Sequence, residues 1–313
     1  MIAQLRPILV SQPSLHRNEL QRTEIHMAES AKKYRFHLIN AFSLSEKAAF
    51  NLRPFEGPKE TILYNHNDLA PFLDDVEWDV HPGARATHGD WPVEKQEEFQ
   101  SVGTNRLPLV RAACESGKYN AIILLGGGDP GYWPAREIGR YYRIPVTSCA
   151  HAQMHIARTL GRKFSIIDIA ETHNMQMYNL VIQYGFTDEC ASIRGVNYPL
   201  PRPAFPNEPS ITAERDKALR GERSDMLEQS LNEAILAIEE DGAEVLMLGC
   251  SATFWMQPFL QKRLNEIGWE IPVLEGARCA IELAKTFVNL GVDASGLMLP
   301  SERPKKTRRK KLF

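Results

Sequence analysis

Cysteine is sparse and unpaired in this sequence. Five occur in 313 residues (Cys114, Cys149, Cys190, Cys250, Cys279), with no CxxC spacing among them. An odd, scattered set excludes a disulfide framework and a structural zinc site, and it predicts a reducing, cytoplasmic setting. Long apolar runs are also absent, so no membrane-spanning helix is expected and a membrane is not a predicted partner. The N-terminus has a short apolar patch but no signal-peptide core followed by a small-residue cleavage site. Charge of one sign is lacking overall: 37 Lys and Arg stand against 39 Asp and Glu. That balance gives no general case for nucleic-acid binding. The exception is the basic tail PKKTRRKKLF (304–313), read as a solvated end. No HxH or HExxH spacing occurs, so neither a metal nor an organic cofactor is expected.

What is present is a repeated grammar. The segment AIILLGGGDPG (121–131) runs an apolar strand into glycines, and AEVLMLGCSATF (243–254) runs a similar strand into Gly249, Cys250 and Ser251. Strands are predicted at 34–40, 76–80, 120–125, 144–148, 163–170, 243–248 and 270–274. Helices are predicted from Ser45, over 93–116, 135–142, 150–160 and 175–185, from Ser224, after Cys250, and over 277–290. The stretch 197–209, rich in proline, reads as a loop. Alternation of this kind predicts an α/β fold of two pseudo-symmetric doubly wound lobes, each with a mainly parallel sheet flanked by helices. The expected division is an extension over 1–33, lobe 1 over 34–145 plus 275–301, lobe 2 over 146–274, and a tail over 302–313. In such sheets ligands bind beyond the carboxyl ends of the strands, where both junctions lie, so the active site is expected between the lobes.

Cys250 follows a strand and is expected to open a helix, where the dipole and free N–H groups favour a thiolate. A catalytic thiol and a buried structural cysteine are both compatible with that position. The loop Gly126-Gly127-Gly128-Asp129-Pro130-Gly131 lets backbone approach a ligand, and its amides form a candidate anion nest. No Lys-Ser/Thr follows it, which excludes a Walker phosphate loop. Cys149 with His151, and His173 after the strand KFSIIDIA, are candidates for a second base. Tyr132, Trp133, Phe254 and Trp255 suggest an aromatic pocket wall or ordinary core packing.

The stretch GGGDPGYWPAREIGRYYRIPVTSCAHAQMHIARTLGRKFSII (126–167), the LGCSATF junction and IPVLEGARCAIELAKTFVNLG (271–291) resemble hydantoin racemases, of the aspartate/glutamate racemase superfamily. Asn40-Ala41-Phe42-Ser43 resembles that family's Asn-Pro-Asn-Thr-Ser opening, and the resemblance runs over roughly 34–300. It implies proton transfer in an interlobe cleft without metal, flavin or pyridoxal, with one cysteine on each face of the substrate carbon. Cys250 matches the second cysteine; the first falls on Gly126. Arylmalonate decarboxylases of the same superfamily share that one-thiol pattern.

The expectation is therefore a cofactor-independent, cysteine-dependent enzyme acting at a carbon α to a carboxylate or carbonyl, of decarboxylase, lyase or isomerase type. Cys250 would be the acid/base. Asn40, Ser43, Gly126, Gly127, Gly128, Gly249 and Ser251 would hold the substrate and its developing oxyanion. The alternatives are a hydantoin or amino-acid racemase with Cys149, His151 or His173 as substitute base, and a catalytically silent small-anion binder. The expected partners are a small carboxylate or cyclic amide and, from the resemblance, further copies of the chain as a homo-oligomer.

Overall fold

A computed structural model describes residues 32–48, 53–203, 211–300 and 306. The fold lies in the unit Tyr34–Phe313. The expected extension and basic tail fall outside the described residues, apart from Lys32, Lys33 and Lys306.

Eight strands form two four-stranded sheets. Strands β1 (Tyr34–Ile39), β2 (Val76–His81), β3 (Ala121–Leu124) and β4 (Val146–Ser148) make the first, in the order β2-β1-β3-β4. Strands β5 (Phe164–Asp168), β6 (Cys190–Gly195), β7 (Val245–Leu248) and β8 (Val273–Leu274) make the second, in the order β6-β5-β7-β8. The second order is the first shifted by four strands, and every pairing is parallel. The two sheets are thus the pseudo-symmetric pair the sequence predicts. Strands β3, β5 and β7 are buried along their whole length, which is why they read as near-continuous apolar runs.

In each sheet the chain leaves the inner strand to one side and returns on the other, making a switch point between β1 and β3 and another between β5 and β7. Arg106, on the helix Gln96–Glu115 and fully buried, ties the first together. Its guanidinium donates to the carbonyls of Ile39 (2.6 Å), Leu125 (2.9 Å) and Pro130 (3.1 Å). Asp129 of the glycine loop caps the helix Cys149–Leu160, accepting from the amides of Ala150 (2.9 Å) and His151 (2.8 Å). The Ser148 hydroxyl (2.6 Å) and Tyr184 hydroxyl (2.9 Å) also donate to it. The acid in GGGDPG is therefore a helix cap.

Some expectations are corrected. Strand β4 pairs with β3, so the first sheet extends through Ser148 and the division between sheets falls after it, not at 146. Among the described residues no helix starts at Ser45; short helices lie at Lys59–Ile62 and His66–Leu73. The edge strand β6 was not predicted, because it is only half-buried throughout and has no clean apolar period. The helix Ile211–Leu219 was also missed, since the proline-rich stretch before it hides its start; residues 204–210 lie outside the described set. Helical spacing places Met154, Ala157 and Leu160 on one apolar stripe, yet Leu160 is 53% exposed, whereas Met154 and Ala157 are buried. Among the described residues, no helix is long and apolar enough to cross a membrane.

Candidate active site

The two junctions meet. A methyl group at Gly127 would sit 1.8 Å from the Gly249 carbonyl oxygen and 2.9 Å from the Cys250 Cα. Only glycine permits that approach of backbone to backbone. Beside this contact lies a cavity of about 90 Å³, lined by Asn40, Gly126, Gly127, Gly128, Cys149, His173, Cys250 and Ser251 among the residues singled out in the sequence. Phe42, Phe99, Leu125 and Phe254 supply an apolar wall. A space of this size holds a molecule of several heavy atoms.

Cys250 is buried and is the cap residue of a 3-10 helix, Ser251–Met256. Its carbonyl accepts from the Thr253 amide (2.9 Å) and hydroxyl (2.6 Å). The first amides of such a helix, Ser251 and Ala252, have no intrahelical acceptor and lie in the cavity wall. His173 shares the cavity wall with Cys250, whose side chain contributes to its electrostatic surroundings. His173 Nδ1 meets Asp168 Oδ2 at 2.6 Å. Burial alone would lower the His173 pKa, but the charge of Asp168 and its hydrogen bond, with a further contribution from the neighbouring Cys250 side chain, hold it well above its usual 6.5. Asp168 is fully buried at the end of β5 and its second oxygen accepts from the Ile169 amide at 2.8 Å. Asp168 and His173 thus form a buried hydrogen-bonded pair beside Cys250 at the second switch point.

The remaining sequence candidates separate. Cys149 faces the cavity, but burial and the nearby carboxylates of Asp129 and Glu275 push its thiol pKa well above the usual value. Its sulfur lies 3.7 Å from the Leu124 carbonyl. His151 turns away: it meets the Tyr132 hydroxyl at 3.0 Å, and burial next to His155 and Arg136 lowers its pKa to about 2. The Ser43 hydroxyl donates to the Gly83 carbonyl at 3.2 Å and does not line the cavity. The Gly249 amide is committed to the Ile167 carbonyl at 2.9 Å, so it is not a free oxyanion donor. Asn40 keeps its place in the wall with its Nδ2 on the Ile62 carbonyl, 3.1 Å away. Of the four aromatics, Phe254 alone lines the cavity; Tyr132 and Trp255 are core.

Four wall or support residues were not singled out in the sequence: Arg53, Tyr64, Asp168 and Glu275. The signal for Asp168 was a lone acid inside an otherwise apolar strand, FSIID, an expensive placement without a partner. Glu275 caps the helix Gly276–Leu290, and burial pushes its carboxyl up to about 7. Arg53 and Tyr64 lie in irregular chain where no period marks them.

A strap closes one side. The Leu200 amide donates to Glu94 (2.6 Å), and Arg202 forms ion pairs with Glu98 (2.5 and 2.8 Å). Burial opposes ionisation of Glu98, yet the Arg202 guanidinium and donors from Glu94, Lys95 and Trp91 bring its pKa down to about 2. Leu200 itself reaches the cavity wall. Among the described residues, no group of three or more His, Cys, Asp or Glu side chains is placed to hold a metal ion.

Asp168 sets the protonation of His173. Asp168→Asn removes the charge that raises the His173 pKa while burial still lowers it, so the imidazolium should be lost at lower pH. His173 ring resonances, assigned by their loss in His173→Gln, are expected to titrate well above 6.5 in the native protein and markedly lower in Asp168→Asn. Unchanged titration would remove Asp168 from this role.

The Asp/Glu/Hydantoin racemase family model matches residues 87–284. A hydantoin racemase of Pseudomonas sp. (strain NS671) is 29% identical over 178 residues, 57% of this chain and 62% of that protein. The matched segment therefore spans less than two thirds of that relative's length. The allantoin racemase of Klebsiella pneumoniae superposes with a TM-score of 0.62 at 22% identity, covering 90% of this chain and 97% of that one. A glycine-to-cysteine, cysteine-to-serine double mutant of arylmalonate decarboxylase, in its liganded form, superposes with a TM-score of 0.53 at 13% identity, covering 82% and 92%. These two likenesses concern the fold.

Proposed function

The chain belongs to the Asp/Glu/Hydantoin racemase family, and from that footing we propose that it is a one-thiol proton-transfer enzyme working on a carbon α to a carboxylate or carbonyl. The observation that carries the proposal is the asymmetry of the cavity. On one wall a thiol stands beside a histidine whose pKa is held well above 6.5; at position 126 of the other stands a glycine.

In this reading Cys250 delivers the proton. When a carboxylate leaves the α-carbon as carbon dioxide, its bonding pair becomes an enediolate, and the Cys250 S–H protonates the carbon. The imidazolium of His173 then returns a proton to the thiolate and is refilled from solvent. The Ser251 and Ala252 amides at the start of the 3-10 helix hold the developing oxyanion. Loss of one such donor typically lowers kcat by about 100- to 1,000-fold. No metal or organic cofactor takes part in these steps.

Racemisation of a cyclic amide is the second reading, favoured by the hydantoin racemase relatives. It requires a base on the face away from Cys250, and the geometry counts against the expected substitutes. The Cys149 thiol is held protonated by burial, and His151 points elsewhere. Turnover of 2-methyl-2-phenylmalonate in heavy water separates the two readings. The expected product carries deuterium at the new centre in a single handedness, read by chiral chromatography with mass spectrometry. A racemic product, or efficient racemisation of 5-benzylhydantoin by the native protein, would overturn the one-thiol reading.

A further inference from the structure

We propose that Arg53, flanked by Tyr64, is an anion subsite in the cavity wall, and that it selects a carboxylate substrate over an uncharged cyclic amide. The inference rests on the proton-transfer reading above and names the substrate class for it.

Arg53 lines the cavity. Its Nη2 donates to the Phe42 carbonyl at 2.6 Å, which fixes the direction of the guanidinium. Its Nε is out of solvent and has no hydrogen-bond partner. Among the described residues no carboxylate is paired with it; Tyr64 is the favourable neighbour, and burial lowers the Arg53 pKa to about 10, still charged at neutral pH. A buried guanidinium without a counter-ion is an unfavourable arrangement that the incoming ligand can relieve.

A second cation stands behind the wall: the Arg215 guanidinium, paired with Asp216 at 3.3 Å, lies 5.8 Å from the Tyr64 ring centroid. His173 carries its proton across the same cavity. The one carboxyl in the lining, Glu275, already accepts from the Ala277 and Arg278 amides at the start of its helix. The Arg53 guanidinium therefore stands in the cavity wall with no ion-pair partner among the described residues and suits a carboxylate through a charge-assisted hydrogen bond. The apolar wall of Phe42, Phe99, Leu125 and Phe254 suits an apolar α-substituent on the same molecule.

The test separates binding from chemistry by using the Cys250→Ala protein. Calorimetry compares 2-phenylpropanoate with 2-phenylpropanamide, which differ in charge and little in shape, and with 5-benzylhydantoin. The acid should bind at least about tenfold more tightly than the amide or the hydantoin. Arg53→Met should abolish that preference, and Arg53→Lys should keep part of it, with thermal melts confirming that both variants fold. Equal binding of acid and amide, absence of acid binding at millimolar concentration, or a preference that survives Arg53→Met would each overturn the subsite. A failure of the one-thiol reading would appear instead in the heavy-water labelling by native protein, which is indifferent to the acid–amide comparison.

Discussion

Cys250→Ala is expected to reduce turnover by on the order of 1,000-fold or more while leaving the protein folded. The residue is buried at the cap of a short 3-10 helix, and its carbonyl, not its sulfur, makes the structural bonds to Thr253. Removing the sulfur therefore costs about 1 kcal/mol of stability, an ordinary small-cavity effect. The chemical loss is far larger, because the proton donor disappears and His173 is left facing an empty place. Cys250→Ser should fail nearly as completely, since a hydroxyl is a much weaker acid than a thiol. Cys279→Ala is the matched control: that thiol is also buried, with its pKa pushed up to about 12, and it lies on the helix Gly276–Leu290. Its loss should lower the melting temperature and spare the rate. Initial rates on 2-methyl-2-phenylmalonate with parallel thermal melts decide the matter; near-native turnover by Cys250→Ala would end the assignment.

The architecture was legible because strands in a doubly wound sheet must be continuously apolar and must alternate with helices. The two junctions after β3 and β7 announced themselves for that reason. The thiol at 250 was legible too, since a cysteine between a buried strand and a helix start is an unusual placement. What the sequence hid was the partner. His173 was noticed as cleft-facing, but its link to Asp168 depends on the end of β5 meeting the first turn of the helix Glu171–Tyr184. The Nδ1–Oδ2 approach of 2.6 Å across five residues follows from that bend and not from any spacing rule. Ser43 and Gly249 were misread in the opposite sense. Ser43 follows β1 and Gly249 opens the junction after β7, yet the Ser43 hydroxyl is spent on Gly83 and the Gly249 amide on the parallel ladder. Backbone accounting of this kind requires coordinates, because a sequence shows donors but not which are already satisfied. Arg53 was invisible for a third reason: a cation in irregular chain looks solvated until the fold closes over it.

On the one-thiol reading, Gly126→Cys is expected to give the protein a racemising activity. A second thiol on the glycine wall supplies the proton acceptor missing from the face away from Cys250. The activity is read as loss of optical purity of (R)-2-phenylpropanoate, with deuterium entering both hands in heavy water. The structure also says why the substitution is expensive. Gly126 has φ of +123°, where a residue with a side chain is strained, and its Cβ would stand 3.0 Å from the Ala41 Cβ. The backbone strain alone costs about 1–3 kcal/mol, more than a simple left-handed turn position would. Ala41→Gly opens the crowded side, so the double variant should melt higher than Gly126→Cys alone and racemise faster. Adding Cys250→Ala to the double variant should abolish the new activity, because inversion needs a donor on each face. Retention of racemisation after that third change would mean that the proton comes from elsewhere, and racemisation by the unmodified protein would show that position 126 is not where the second base is missing.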